Sequence, residues 1–311
     1  MILVVTNRDD LTADWLILEL EQRGAPFLRF NTEDYPETAR VVWTPAGASL
    51  SFAGHDVELA AVTAIWFRRP VLPRLDSIDG ARGQWAAREA REALDGVWRT
   101  FEGRFVNRPE RNQLAGVKPE QLVRAARHGF SVPKTLVTND PAAAGAFLDD
   151  TPEAICKPLY SGRVPGGEEE GLFFTTLLDD AARQAVRELG PEPYLFQEFV
   201  DKRYDVRVTV IGDEVFAVRI DSQAVAEARV DWRKGAPSAA AHSVEELPAE
   251  VAVRCLALTR DYGLEFAAID LALSDGGYVF FEVNPNGQWA WVEQLTGLPL
   301  RARLADLLLA A

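Results

Sequence analysis

The segment 264–284 constrains this chain more than any other. It holds two apolar runs, LEFAAIDLAL at 264–273 and YVFFEV at 278–283, separated by a few turn residues. Acids interrupt both runs: Asp270 in the first and Glu282 in the second, with Asn284 two residues on. Such runs joined through Asp and Gly read as a β-hairpin. Residues two apart on a strand share a face, so Glu282 and Asn284 point the same way. The side taken by Asp270 depends on the turn. A two-residue turn at Asp275-Gly276 pairs Asp270 with Phe281 and sends Glu282 to the other face. A three-residue turn that includes Gly277 in the left-handed conformation sets Asp270 opposite Glu282. Gly277 is the residue type that conformation demands, so the three-residue turn is expected. Asp270, Glu282 and Asn284 then form a cluster of hard oxygen ligands suited to Mg²⁺, which takes its remaining ligands from water and nucleotide phosphates. A solvated edge with incidental acids is the plain alternative. Against it, the flanking Phe266, Ile269, Leu271, Phe280, Phe281 and Val283 are apolar, so the acids break a core-like pattern.

The rest of the chain bounds what that hairpin belongs to. A length of 311 residues suggests two or three structural units. Apolar residues at 48% and charged residues at 26% exclude wholesale disorder. A net charge of −14 argues against nucleic acid or an anionic membrane as the main partner. Cys156 and Cys255 cannot build a disulfide framework, and three histidines make a multi-histidine metal centre a poor fit. The apolar start MILVV is too short for a secretory signal, and no run has the length of a membrane span. A reducing, cytoplasmic location is expected. The first third alternates strand and helix patterns: strand 2–6, helix 11–23, strand 27–30, a hairpin around Pro45-Ala46-Gly47, strand 62–67 and helix 84–99. Beyond about residue 110 a helix at 117–128 leads to short strands at 135–137 and 154–157, then strands at 194–199, 204–211 and 215–220, and a helix at 248–262. The pattern is α/β at the start and α+β afterwards.

Basic residues are placed where they can meet anions. Lys157 ends a strand in ICKPLYSG, just before the glycine-rich SGRVPGGEEEG at 161–171. A lysine beside glycine-loop amides is one way to hold phosphate oxygens, although the order of a P-loop is absent. Lys118 stands near a helix start. Arg207 interrupts the strand DVRVTV, either facing a cleft or lying exposed and paired with Asp205. Arg219, Arg233 and Lys234 add cations ahead of the acids. Arg68 and Arg69 end a strand, where ligand crevices of α/β sheets lie. The arginines of 82–111 are interleaved with acids and read mostly as a solvated helix face.

These residues together resemble the ATP-grasp ligases. The likeness rests on Lys157 with its glycine-rich loop, on FQEFVDKRYDVRV at 196–208, and on Asp270 with Glu282-Val283-Asn284. It implies an ATP-grasp fold: an N-terminal α/β (pre-ATP-grasp) domain over 1–112, a small central domain over 113–195, and a C-terminal antiparallel-sheet domain over 196–311 carrying the metal site. It also implies ATP and Mg²⁺ as cofactors. Lys118 and Lys157 would contact phosphates, and Gln197, Glu198 and Val200 would line the adenine, with Asp205 near the ribose. Arg207, supported by Arg219 or Arg233, would neutralise the transferred phosphoryl group. The metal would sit on Asp270, Glu282 and Asn284, and the loop at 161–171 would close over the phosphates.

A narrower resemblance lies in AIWFRRP at 64–70, IDSQ at 220–223, VDWR at 230–233 and EVNPNGQWAWVEQLTGLPL at 282–300, which look like the microviridin-type peptide maturases, the graspetide synthetases. This implies an ADP-forming macrocyclase of a ribosomally made precursor peptide. Such an enzyme activates Asp or Glu side chains and joins them to Ser/Thr hydroxyls or Lys amines. The leader of the precursor would dock on the middle domain, with Arg68 and Arg69 meeting acidic core residues, and family analogy suggests a homodimer. Two other readings stay open: a free-standing carboxylate–amine ligase acting with an amino acid such as glutamate, and a non-catalytic nucleotide-binding module.

Overall fold

The computed structural model describes residues 1–73, 75–160, 163–164, 171–172, 174–234 and 241–310. The chain opens with strand β1 (Ile2–Thr6), helix α1 (Leu11–Gln22) and strand β2 (Phe27–Asn31). A meander follows: β3 (Arg40–Thr44), β4 (Gly47–Phe52) and β5 (His55–Glu58). Then come β6 (Ala64–Phe67), the long helix α2 (Gly80–Thr100) and β7 (Arg104–Val106). Strands β2-β1-β6-β7 form a parallel sheet in that order. Its strands are apolar on both sides, as a covered parallel sheet requires. Ile2, Val4 and Trp66 pack on one face towards α1 and the C-terminal helices. Leu3, Val5, Ile65 and Phe67 pack on the other against α2 and the meander. The hairpin expected around Pro45-Ala46-Gly47 is present, with its turn at Pro45-Ala46 and Gly47 opening β4.

Helices α3 (Pro109–Ala115) and α4 (Lys118–Arg127) lead into a small sheet built from β8 (Thr135–Thr138), β9 (Ala154–Lys157), β12 (Thr176–Leu177) and β13 (Tyr194–Glu198), ordered β12-β9-β13-β8. Helix α5 (Pro141–Asp149) and Val186, just past α6 (Asp180–Ala185), pack against the core of this sheet, and a two-strand ribbon, β10 (Arg163–Val164) with β11 (Gly171–Leu172), forms a separate pairing. The closure expected of the 161–171 loop lies outside the described residues, apart from those paired positions.

The C-terminal part holds β14 (Tyr204–Ile211), β15 (Glu214–Ile220), β16 (His242–Val244), α7 (Ala249–Asp261), β17 (Phe266–Ser274), β18 (Gly277–Asn284), α8 (Ala290–Thr296) and α9 (Leu300–Leu309). Its sheet is antiparallel, ordered β16-β15-β14-β17-β18. Alternation along β14 and β17 explains how one sheet serves two purposes. Val206, Val208, Val210, Ala267, Ile269 and Leu271 face α4 and α7 in one core. On the opposite face the paired positions run Ile211–Phe266, Thr209–Ala268, Arg207–Asp270 and Asp205–Ala272. The apolar end of that face packs under α8 and α9, and the charged end borders a cleft beneath the small sheet. Among the described residues no helix is long and apolar enough to cross a membrane.

Candidate active site

The hairpin that carries the acids forms, but by a different route from the expected one. Ser274 pairs with Gly277, so the turn has two residues, Asp275 and Gly276, although Gly277 does take a positive φ of 103°. That register alone would set Asp270 against Phe281. A bulge corrects it: Leu271 pairs with Phe280, then Asp270 pairs with Glu282, and Phe281 is the extra residue between them. The expected juxtaposition of Asp270 and Glu282 therefore stands, while the three-residue turn does not. A bulge next to a functional cluster re-aims side chains, and here it also turns the Phe281 ring to line the cleft.

Buried polar side chains then fix the strand beyond the bulge. Strand β18 is the edge of its sheet, and Gln121 of α4 fills the role of a neighbouring strand. It donates from Nε2 to the Val283 carbonyl at 2.9 Å and accepts at Oε1 from the Val283 N–H at 3.0 Å. Asn107, just past β7, donates to the carbonyls of Phe266 and Pro285, both at 2.9 Å. Both side chains are almost fully buried. The backbone carrying Glu282 and Asn284 is thus held by atoms outside its own hairpin.

The cleft encloses about 320 Å³, within the usual range for small-molecule sites. Its centre is a cation–carboxylate cluster. Arg233 donates from Nη2 to Asp270 Oδ2 at 2.9 Å and to Glu282 Oε1 at 2.7 Å, and it pairs with Asp231 at 3.3 Å. Lys118 Nζ lies 3.8 Å from Glu282 Oε2 and donates to the Pro158 carbonyl at 2.8 Å. Burial would raise the pKa of Glu282, but Arg233, Lys118, Lys157 and Arg207 outweigh it and hold the carboxylate well below its usual range. Burial is also the leading influence on Arg233, yet Glu282, Asp270 and Asp231 overcome it and raise that guanidinium. Lys157 is buried beside this group, and desolvation draws its pKa down to about 8. Two carboxylates and an amide side chain are hard donors of the kind Mg²⁺ takes. Arg233, bridging both carboxylates, shows that the pocket between them is built for positive charge.

The other expected positions sort clearly. Lys118, Lys157, Gln197, Glu198, Val200, Asp205, Arg233, Asp270, Glu282 and Asn284 all line the cleft. Glu198 donates its N–H to the Lys134 carbonyl at 2.9 Å, and its carboxylate accepts from the Lys134 N–H at 3.2 Å. Gln197 is buried, with Nε2 on Thr135 Oγ1 at 2.8 Å. Arg207 is neither exposed nor paired with Asp205: it lies buried behind the cleft, donating from Nη1 to Asp270 Oδ1 at 2.8 Å. Two expectations need correction. Arg219 pairs with Val206 in register and therefore projects to the opposite face, where it stacks 4.2 Å over Tyr204 and pairs with Asp221. Arg68 is 1% exposed and bonded to the Asn286 carbonyl and to Gln288, so it offers no surface to a substrate. Burial lowers its pKa to about 10 against the pull of Asp10, which still leaves it charged at neutral pH. Arg69 is exposed beside it.

Residues that the sequence offered only inside longer motifs, with no role of their own, also line the cleft. Lys202 is buried, donates to Asp205 Oδ1 at 2.8 Å and lies 5.5 Å over the Phe281 ring. Burial raises the Asp205 carboxyl and Lys202 opposes it. Asp231 and Trp232 complete the wall beside Arg233. The signal for Lys202 was its place three residues before Asp205, in the bend leading into a strand.

Comparison with known proteins extends the picture. Residues 1–113 match the family described as the MvdD pre-ATP grasp domain, and residues 117–308 match the RimK-like ATP-grasp domain. A RiPP-associated ATP-grasp ligase of Chryseobacterium gregarium, solved with ADP and a leader and core peptide, is 26% identical and superposes with a TM-score of 0.91, covering 99% of this chain and 96% of that one. The macrocyclase MdnC of Microcystis aeruginosa, solved with its precursor peptide MdnA, is 27% identical with a TM-score of 0.89, covering 100% and 99%. Structures of the ATP-grasp ligase PsnB hold Mg with ADP, or AMPPNP. Among curated relatives, the tetrahydromethanopterin:alpha-L-glutamate ligase of Methanocaldococcus jannaschii is 24% identical over 209 residues, 65% of this chain and 68% of that protein. The next such relative, a probable alpha-L-glutamate ligase of Citrobacter koseri, is spanned over only 61% of its length.

Proposed function

This chain belongs to the RimK-like ATP-grasp family, and we propose that it is a cytoplasmic, ATP-dependent macrocyclase of a ribosomally made precursor peptide. The reading is carried by likeness over the full length, N-terminal domain included, to a ligase solved with a leader and core peptide and to a macrocyclase solved with its precursor peptide. At the site it is supported by the convergence of Lys118, Lys157 and Arg233 on Asp270 and Glu282.

The chain's own residues divide the work. Glu198 and Val200 border the part of the cleft that would take the adenine, and Asp205, held by Lys202, would lie near the ribose. Lys118 and Lys157 would bind phosphate oxygens. Asp270, Glu282 and Asn284 would hold Mg²⁺, which when bound neutralises phosphate charge. Arg233 would turn from the carboxylates to the transferring phosphoryl group. A side-chain carboxylate of the peptide attacks the γ-phosphorus of ATP, giving an acyl phosphate and ADP. A hydroxyl or amine of the same peptide then attacks the acyl carbon, loses its proton and expels phosphate, closing an ester or amide ring. Positioning and charge neutralisation carry such a reaction without a protein nucleophile. Both cysteines fit that account, since burial pushes their thiols up, Cys156 to about 11 and Cys255 to about 12.

The test is incubation with ATP, Mg²⁺ and candidate precursor peptides, short chains with Ser/Thr/Lys and Asp/Glu near the C-terminus sought among the neighbouring reading frames, read by mass spectrometry. Macrocyclisation removes one water per ring and releases one ADP. The glutamate-ligase relatives favour a second reading, a stand-alone carboxylate–amine ligase. That activity would instead add the mass of an amino-acid residue, and only when the free amino acid is supplied.

A further inference from the structure

We propose that Arg68 and Gln288 are positioning residues for Asp270, coupling the N-terminal sheet to the carboxylate that the reading above assigns to metal; the inference rests on that reading. Arg68 follows β6, and its guanidinium is enclosed between the N-terminal domain and the segment after β18. Nη1 donates to the Asn286 carbonyl, Nη2 donates to Gln288 Oε1 at 2.8 Å, and Nε lies 3.6 Å from Asp10 Oδ2. The Thr12 hydroxyl donates to the same Gln288 oxygen, and Thr6 Oγ1 donates to Asp10 Oδ2 at 2.8 Å. The N-terminal domain therefore grips Gln288 by its side chain.

From the other side, Arg207 grips the same residue by its main chain. Its Nη2 donates to the Gln288 carbonyl at 3.2 Å, while Nη1 donates to Asp270 Oδ1 at 2.8 Å. Gly287 leaves no slack between the two. A Cβ there would stand 2.3 Å from Ala268 Cβ and 2.6 Å from Arg207 Nη2, so the segment is pressed against both. The order of contacts is Asp10, Arg68, Gln288, Arg207, Asp270, and every member except Gln288 is buried.

The consequence falls on one oxygen. With Oδ1 of Asp270 committed to Arg207, Oδ2 is the atom left to the cleft, where it meets Arg233 at 2.9 Å. A carboxylate free to rotate would present either oxygen at a variable angle. One pinned through Arg207 presents Oδ2 in a fixed direction, and outer partners of this kind set the affinity of metal ligands. Truncating Arg68 strips the buried donors from the Asn286 carbonyl and the Gln288 amide. The segment then loosens and Arg207 loses its second anchor.

The experiment measures Mn²⁺ binding by electron paramagnetic resonance to full-length protein with AMPPNP present, alongside AMPPNP affinity in EDTA and the melting temperature. Wild type is compared with Arg68→Met, Gln288→Leu, Gln288→Glu and Asp270→Asn. Arg68→Met and Gln288→Leu should each weaken Mn²⁺ about 10-fold or more while metal-free AMPPNP affinity stays at the wild-type value. Gln288→Glu keeps an acceptor for both Arg68 and Thr12 and should restore Mn²⁺ affinity to within about threefold of wild type. Should Arg68→Met fail to fold, Gln288→Leu, at a half-buried position, carries the measurement alone. Wild-type Mn²⁺ affinity in the Arg68 and Gln288 variants, with or without a lowered melting temperature, overturns the coupling if Asp270→Asn still loses the ion. Unchanged Mn²⁺ binding in Asp270→Asn overturns the metal assignment itself.

Discussion

The amide of Gln121 closes on both backbone groups of Val283, at 2.9 and 3.0 Å, so a helix side chain completes the hydrogen bonding of an edge strand. Val283 stands between Glu282 and Asn284, and its backbone is what a wandering edge would move first. Gln121→Leu keeps the volume but leaves the N–H and carbonyl of Val283 unpaired in the interior. It should destabilise the protein by about 2–4 kcal/mol, read by urea unfolding. A loss below about 1 kcal/mol would mean that the two groups find other partners.

Glu282 is the shared counter-charge of Arg233, Lys118 and Lys157. Glu282→Gln should lower ATP-dependent turnover about 100-fold or more, since both a metal donor and a fixed charge are removed. The unliganded variant should also melt at a lower temperature, because three cations then face one another with Asp270 and Asp231 as their remaining balance. Added inorganic phosphate should recover part of that melting temperature. A variant that turns over ATP at the wild-type rate would end the metal assignment.

Arg219 and Arg233 separate cleanly. Arg233→Ala should reduce turnover about 100-fold, the size expected when one charge-stabilising group is lost. Arg219→Ala, on the opposite face with Tyr204 and Asp221, should leave the rate within about twofold, a surface change being worth little. Equal losses in the two variants would contradict the strand register.

Lys157 sets a pH dependence. Burial draws it to about 8, so its charge is lost above that pH in the unliganded protein. Phosphate favours the charged form, and nucleotide affinity measured by calorimetry should be greatest below pH 8 and weaken as pH rises past it. Lys157→Arg, which stays charged, should flatten the profile. For the fold itself the sign is reversed. The unfolded chain holds this proton up to the ordinary lysine value of 10.5, so Lys157 makes stability rise with pH between about 8 and 10.5.

Much of the site was legible in the sequence because it is written locally. Acids inside apolar strands, a lysine at a strand end and glycine in a turn each carry their meaning within a few residues. Asp270 and Glu282 came out opposite one another, yet the turn proposed to achieve it was wrong. The extra residue enters at Phe281, and a bulge inside an apolar run leaves no mark in composition. The helix at 141–149 and strand His55–Glu58 were passed over as well, one lying in an alanine-rich stretch without clear periodicity and the other being four residues long.

What the sequence by itself determined is the inventory: which side chains can bind phosphate and metal, and the alternation that puts Val206 and Arg207 on opposite faces of β14. What only the tertiary structure decided is assignment. Arg68 and Arg207 are chemically equal to Arg233, yet two are buried struts and one faces the cleft. An arginine's role depends on which carboxylate and which backbone carbonyl lie within a hydrogen bond of it. Those partners, Gln288 for Arg68 and Asp270 for Arg207, stand 220 and 63 residues away along the chain. Local spacing carries no information over such separations; strand pairing within one sheet sets Arg207 against Asp270, and the packing of the N-terminal sheet against the C-terminal part brings Arg68 to Gln288.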